Sequence, residues 1–208
     1  MQVAIIMEYL EGGELLKYVQ DRKKLNEDEA RGFFLQLLDA ISYCHKEKII
    51  HRDLKLENIL ISDIQTNTIK VKILKFLLNF HKKMKVVDFG ISSLWTNSNI
   101  DTINAGTLKY MAPELFYKKA DNASSGVDVW AMGCILYAMV VGKLPFHGES
   151  RKRIKDKIVG EKLKFPSDIE ISKEIKHLIK RMLEKDARKR IALGDIYHHP
   201  WVKKEEMK

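Results

Sequence analysis

Three short polar motifs carry the residues of this chain that are best suited to chemistry. Residues 51–58 read HRDLKLEN, Asp88-Phe89-Gly90 follows a β-like run, and Ala112-Pro113-Glu114 comes 24 positions after Asp88. A carboxylate can take up a proton, and carboxylate and amide oxygens are hard ligands that suit Mg²⁺. Any one of these motifs could arise by chance, and an aspartate close to a glycine is also typical of a plain turn.

The elements that must position these motifs are mainly helical. Residues 2–9 predict a buried strand, and Glu14 to Asp21 predict a short helix. Asn26 can cap a long helix, with Glu29 placed three positions on as in a capping box. Apolar residues then recur on one helical face, which is typical of an amphipathic helix: Ala30, Phe33, Phe34, Leu37, Leu38 and Ile41.

The later part of the chain predicts further helices. Val127 to Val141 is apolar on nearly all sides, so we expect this helix to be central. Another amphipathic helix is indicated by Ile175, Leu178, Ile179, Met182 and Leu183. The predicted fold class is therefore α+β, mainly α, in one domain with short β elements.

In this order and context, the three motifs resemble those of the eukaryotic protein kinases. Further matches are Asp128-Val129-Trp130-Ala131-Met132-Gly133, Leu144-Pro145-Phe146, Arg190 and His199-Pro200-Trp201. The resemblance covers nearly the whole chain and implies the large, C-terminal lobe of a kinase fold. Leu56, the Gly-Gly-Glu run at 12–14 and Tyr43-Cys44-His45 make it most similar to the calcium/calmodulin-dependent and AMP-activated kinase group.

The resemblance implies roles for the residues around Asp53. Asp53 would accept the proton of the substrate hydroxyl, and Lys55 would steady the transferring phosphoryl group, as in serine/threonine kinases. Asn58 and Asp88 would hold Mg²⁺, which bridges the phosphates of ATP. The implied function is a serine/threonine protein kinase that transfers the γ-phosphoryl group of ATP.

The resemblance also places the nucleotide near the start of the chain. Met7 would be the gatekeeper, and backbone groups of Glu8 and Leu10 would pair with the adenine edge. Glu14 would reach the ribose or a basic substrate residue, although an ordinary acidic first helical turn is the alternative. Leu60 would pack under the adenine ring, and it would otherwise be a core residue.

Substrate binding and regulation are implied further along the chain. Glu14 and Glu57 would sit near the peptide groove, so we expect basic residues before the acceptor. Ala138 stands where some strongly basophilic kinases have a third acid, so the expected preference is moderate. Thr107 would position the substrate. Arg52 would pair with a phosphorylated residue, for which Thr102 is the best candidate and Ser98 and Thr96 are alternatives.

Three other residues would serve the structure. Asp128 would hold the backbone of the catalytic loop, and Glu114 would pair with Arg190.

An upstream kinase that phosphorylates the segment between Asp88 and Glu114 is an expected partner, besides protein substrates with serine or threonine acceptors.

The resemblance also predicts the domain limits. Residues 1–10 match the last small-lobe strand and the hinge, and residues 11–202 match the large lobe. The 208 residues contain no Gly-rich phosphate loop and no strand lysine, so we expect the chain alone to be truncated and doubt that it is active. The alternative function is a non-catalytic, kinase-like binding module or an inactive fragment.

Residues 72–86 interrupt the kinase pattern. Without them, Thr68-Ile69-Lys70-Val71 would join Val87-Asp88-Phe89-Gly90 as one uninterrupted strand. We favour a translated intron or a gene-model error, and a genuine inserted amphipathic helix is the alternative. A transcript that always contains this segment would exclude the intron.

Charge and cysteine usage limit the partners and the compartment. Residues 72–86 hold five lysines and thus carry more than half of the formal net charge of +9, so binding of nucleic acid or of a membrane is not expected. No signal peptide is expected either. Cys44 and Cys134 have no CxxC spacing, which predicts reduced core residues in a cytoplasmic or nuclear protein.

Overall fold

The long helix after Asn26 begins where the sequence predicts it. The computed structural model describes residues 10–63, 65–71, 105–117 and 124–204, and in it α1 spans Leu15–Arg22 and α2 spans Glu27–Lys46. The Asn26 side chain accepts a hydrogen bond from the Glu29 backbone N–H at 2.9 Å, which satisfies a donor that the helix start leaves unpaired. The Glu29 carboxylate accepts a hydrogen bond from the Tyr18 hydroxyl at 2.6 Å and thereby connects the two helices.

The remaining elements follow in a mainly helical order. The strands are β1 (Ile59–Asp63) and β2 (Thr68–Val71), and 3₁₀ turns lie at Leu56–Asn58 and Pro113–Phe116. The helices after β2 in the described ranges are α3 (Ala105–Leu108), α4 (Gly126–Val141), α5 (Arg151–Gly160), α6 (Lys173–Met182), α7 (Leu193–Ile196) and α8 (Pro200–Lys203). The predicted α+β, mainly α fold class is confirmed.

The core is built around α4, as its apolar sequence predicts. Every residue of this helix from Val127 to Val141 is buried, and α2 and α6 both pack against it. The contact with α6 requires Gly133, because a Cβ at that position would lie 2.9 Å from the Met182 Cβ. The predicted apolar faces of α2 and α6 are the faces that the structure buries.

Both cysteines lie in this core, as predicted. Cys44 and Cys134 are buried and free. Burial raises the pKa of each thiol above its ordinary value, so both remain protonated and unreactive near neutral pH. Across the described ranges of the chain, none of the helices is sufficiently long and apolar to traverse a membrane.

A small hairpin lies beside the first helix. Strands β1 and β2 pair antiparallel, with Ile59 opposite Val71 and Ile61 opposite Ile69. The Ile61 backbone N–H donates to the Gly13 carbonyl at 2.9 Å, so the hairpin is joined to the turn that precedes α1. This arrangement brings the chain near residue 10 to the same side of the domain as the loop that leads into β1.

Candidate active site

An aspartate inside the central helix anchors the loop that begins at His51. Asp128 is only 1% exposed. Its Oδ2 accepts a hydrogen bond from the His51 backbone N–H at 2.9 Å, and its Oδ1 accepts one from the Arg52 backbone N–H at 2.8 Å. The His45 Nε2 lies 2.8 Å from Oδ2, and because an ionised carboxylate only accepts, this nitrogen is the donor. The backbone contacts are those that the kinase resemblance implies for Asp128.

The loop adopts a strained conformation at its second residue. Arg52 has a φ of 65°, in the left-handed region that costs a residue with a Cβ on the order of 1 kcal/mol or more. The hydrogen bond to Asp128 holds the Arg52 backbone in this conformation. The Arg52 Nε is buried and has no hydrogen-bond partner among the described residues. The regulatory role of Arg52 stays a prediction.

Asp53, Lys55 and Asn58 form one cluster at the end of this loop. The Asn58 Nδ2 donates to the Asp53 carbonyl at 2.7 Å and to its Oδ2 at 3.1 Å. The Lys55 Nζ lies 3.3 Å from the Asp53 Oδ1 and forms an ion pair with it, and Oδ1 accepts no hydrogen bond within the described part of the chain. Asn58 thus orients the Asp53 carboxylate through Oδ2, while Oδ1 keeps a lone pair that can accept a hydrogen bond from a substrate hydroxyl.

A second segment reaches this cluster from α3. The Lys55 Nζ donates to the Thr107 Oγ1 at 3.0 Å. Three residues further on, the Tyr110 hydroxyl donates to the Glu57 Oε2 at 3.3 Å. Residues 105–117 therefore lie along the loop of residues 51–58, the catalytic-loop candidate, and Lys55 bridges Asp53 and Thr107.

Asn58 fits the donor set of a magnesium site. Its Nδ2 is held by Asp53, which leaves the amide oxygen as a hard ligand, and Mg²⁺ needs only one or two protein oxygens beside water and phosphate. The described residues contain no group of three or more histidine, cysteine, aspartate or glutamate side chains that could hold a metal ion unaided. The second predicted ligand, Asp88, lies outside the described residues.

The predicted nucleotide side of the site is partly described. Glu14 and Leu60 lie together as an isolated antiparallel bridge, and Leu10 begins the turn that precedes them. Glu14 is exposed and stands at the N-cap of α1, where its side chain makes no capping hydrogen bond. Its carboxylate therefore lies just before the first helical turn.

A buried ion pair holds the end of the 105–117 segment. Glu114 accepts hydrogen bonds from the Arg190 guanidinium at 2.7 and 2.8 Å. The Arg190 side chain is 1% exposed, and it also donates to the carbonyls of Gly126 and Glu184. Every guanidinium nitrogen and both carboxylate oxygens thus have a hydrogen-bond partner, which offsets the cost of burying the charges. This is the pair that the resemblance implies.

Several sequence predictions fall on residues that lie outside the described ranges. They concern the strand at 2–9, the hinge residues Met7 and Glu8, the metal ligand Asp88, the regulatory Thr102 and the suspected insertion at 72–86. They stay predictions.

Two side chains of the site have no signal in the sequence pattern. His45 supports Asp128 from 83 positions away, and Tyr110 reaches Glu57 across 53 positions. In the sequence, His45 reads as a helix end, and no pattern around Tyr110 points to Glu57. Only a pairing of distant segments could have identified their partners.

Comparison with known proteins agrees with this geometry. The family described as "Protein kinase domain" matches residues 1–202. The chain is 38% identical over 200 residues to the serine/threonine-protein kinase ppk25 of Schizosaccharomyces pombe, with 96% of this chain and 43% of that protein covered. It is 37% identical to the carbon catabolite-derepressing protein kinase of Secale cereale, with 96% and 36% covered.

A further relative belongs to a named subgroup. The SNF1-related protein kinase catalytic subunit alpha KIN12 of Arabidopsis thaliana is 36% identical, with 96% of this chain and 36% of that protein covered. The predicted resemblance to the AMP-activated kinase group is confirmed by such relatives. The chain spans less than half the length of each of these three relatives.

Proposed function

Because this chain belongs to the serine/threonine protein kinase family, we propose that it transfers the γ-phosphoryl group of ATP to serine or threonine hydroxyls of proteins. The observation that carries the proposal is the cluster of Asp53, Lys55 and Asn58, which Thr107 joins from a distant segment. Phosphoryl transfer asks a protein chiefly for positioning and for stabilisation of charge, and this cluster offers both.

Each member of the cluster has a distinct role in the proposed reaction. Asp53 accepts the proton of the acceptor hydroxyl through Oδ1, because its Oδ2 is held by Asn58. The Lys55 ammonium, fixed between Asp53 and Thr107, places positive charge beside the transferring group. Asn58, with Asp88, would hold Mg²⁺, which when bound neutralises charge on the phosphates.

The proposal is tested by phosphate transfer from ATP to a serine peptide in the presence of Mg²⁺. We measure the 208-residue chain, and the same chain preceded by a kinase small lobe that supplies a Gly-rich loop and a strand lysine. In the joined protein, Asp53→Asn is expected to lower kcat at least 100-fold, on the order of the loss of a general base. Asp39→Asn makes the same chemical change on α2, outside this site, and serves as the control.

The outcomes separate the alternatives. A joined protein in which Asp53→Asn keeps full turnover would contradict the role of Asp53. A joined protein that binds Mg-ATP but transfers nothing would instead support a non-catalytic, kinase-like binding module.

Regulation and partners belong to the same proposal. Phosphorylation of Thr102 by an upstream kinase would supply an anion for Arg52, whose Nε is buried and without a hydrogen bond among the described residues. Protein substrates with basic residues before the acceptor would approach Glu14 and Glu57. The two buried, free thiols suit the reducing cytoplasm or nucleus, which we propose as the location.

A further inference from the structure

A buried tyrosine lies against the carboxylate that faces the proposed peptide groove. Tyr110 is 5% exposed, and its hydroxyl donates to the Glu57 Oε2 at 3.3 Å. Glu57 lies in the 3₁₀ turn that follows Lys55, so it is next to the proposed catalytic cluster. None of the roles assigned above to Asp53, Lys55 or Asn58 uses this contact.

We propose that Tyr110 is a positioning residue that orients the Glu57 carboxylate to bind a basic side chain of the protein substrate. The inference rests on the proposed function, because it takes Glu57 to be a substrate-binding residue. It adds that Tyr110, by orienting Glu57, contributes to the preference for basic substrates.

Of the two Glu57 carboxylate oxygens, only Oε2 has a hydrogen-bond partner among the residues that the structure describes. Tyr110 holds Oε2, and an ionised carboxylate accepts at two oxygens, so Oε1 can receive the guanidinium of an arginine or the ammonium of a lysine. Without the hydroxyl, the glutamate side chain would regain rotamer freedom, which would have to be lost when a substrate binds.

The Tyr110 hydroxyl stays protonated, and the residue is held in a fixed position. Burial, and next to it the charge of Glu57, raises the pKa of the Tyr110 hydroxyl above its ordinary value, so the group stays protonated. The Tyr110 backbone N–H donates to the Thr107 carbonyl at 3.1 Å, which fixes the residue to the segment that Lys55 also binds. A rigid, uncharged donor therefore sets the direction of the carboxylate.

No second acid is supplied by the nearby face of the central helix. The thiol of Cys134 lies near Tyr110, and Ala138, one helical turn further along α4, is apolar and buried. Orientation of the Glu57 carboxylate then matters more than it would if α4 supplied another acid beside it.

The test compares the binding of two fluorescent peptides to the 208-residue chain by fluorescence anisotropy. Both peptides contain the same acceptor serine, one with arginines before it and the other with glutamines in their place. We expect Tyr110→Phe to weaken binding of the arginine peptide by about two- to twelvefold, the range for loss of one hydrogen bond. Binding of the glutamine peptide is expected to stay the same.

Two further variants exclude a merely structural effect. Tyr18→Phe removes another tyrosine-to-glutamate hydrogen bond, the one to Glu29, and should change neither affinity. In a Glu57→Gln background, Tyr110→Phe should have no additional effect on the ratio of the two affinities, because the oriented charge is already gone.

Other results would overturn the inference. A wild-type chain that binds both peptides equally, or a Tyr110→Phe effect that persists in the Glu57→Gln background, would remove Tyr110 from this role. Since the readout is binding, it does not depend on phosphate transfer, so failure of the proposed function shows separately in the transfer assay.

Discussion

His199 begins the last described helix, and its ring is held in one protonation state. Its Nδ1 accepts a hydrogen bond from the Trp201 backbone N–H at 3.2 Å, and its Nε2 lies 2.8 Å from the His177 Nδ1. Nδ1 therefore lacks a proton, and Nε2 is the donor to His177. Burial first, then the electrostatic effects of His177 and Arg181, lower the pKa of His199 to about 4, while Glu174 opposes this shift.

This pKa predicts a pH dependence of stability. Between pH 6.5, the ordinary histidine value, and about 4, the unfolded chain binds a proton at His199 that the folded chain does not bind. The free energy of unfolding should therefore fall as the pH falls through this window. His199→Asn keeps a capping oxygen without a titrating ring, so its stability relative to wild type should improve between pH 7 and 5, as measured by urea unfolding.

The same variant at higher pH provides the control. Because pH 7 and pH 8 both lie above the window in which His199 takes up a proton, the difference between His199→Asn and wild type should be nearly the same at these two values. If the His199→Asn difference also stayed constant between pH 7 and pH 5, the neutral, buried state of His199 would be disproved.

At the scale of single elements, the N-cap of α2 is the clearest case of local control. Asn26→Ala removes the acceptor for the Glu29 backbone N–H and should destabilise the protein by about 1 kcal/mol. Asn26→Asp keeps the acceptor and adds a charge that suits the helix start, so it should retain the stability of the wild type. Urea unfolding of both variants measures the difference, and an equal loss in both would contradict the capping role.

The conformation of the catalytic-loop candidate, in contrast, depends on a residue far away in the sequence. Its backbone at Arg52 is in a left-handed conformation that the local sequence does not favour, and Asp128 of α4 supplies the hydrogen bond that holds it there. The strain at this position is therefore balanced by contacts made 76 positions away in the chain.

At the scale of the whole molecule, Arg190 connects segments that are far apart in the sequence. Glu114→Gln would leave the buried Arg190 charge without its partner, so we expect a loss of about 3–5 kcal/mol in the free energy of unfolding. The ion pair of Arg188 and Asp186 on the surface is the control, and Arg188→Ala should lower the free energy of unfolding far less, because solvent screens such a pair. Urea unfolding compares the two, and similar losses would contradict a buried, coupled ion pair.

Parts of the fold and of the site depend only on residues that are close together in the sequence. The helix that starts after Asn26, the buried faces of α2 and α6 and the central position of α4 followed from apolar periodicity and capping, which act over one or a few turns. The types of the residues at 53, 55 and 58 followed from their motif, since phosphoryl transfer needs a base, a cation and a hard oxygen at close spacing.

Tertiary structure decided which of these side chains meet. The sequence by itself determined the elements and the chemistry of the motif, because both depend on neighbours in the chain. The donation from Lys55 to Thr107, the support of Asp128 by His45 and the contact of Tyr110 with Glu57 join residues 52, 83 and 53 positions apart. No local pattern encodes such pairs, because they form only when packing of the helices around α4 brings the two segments together.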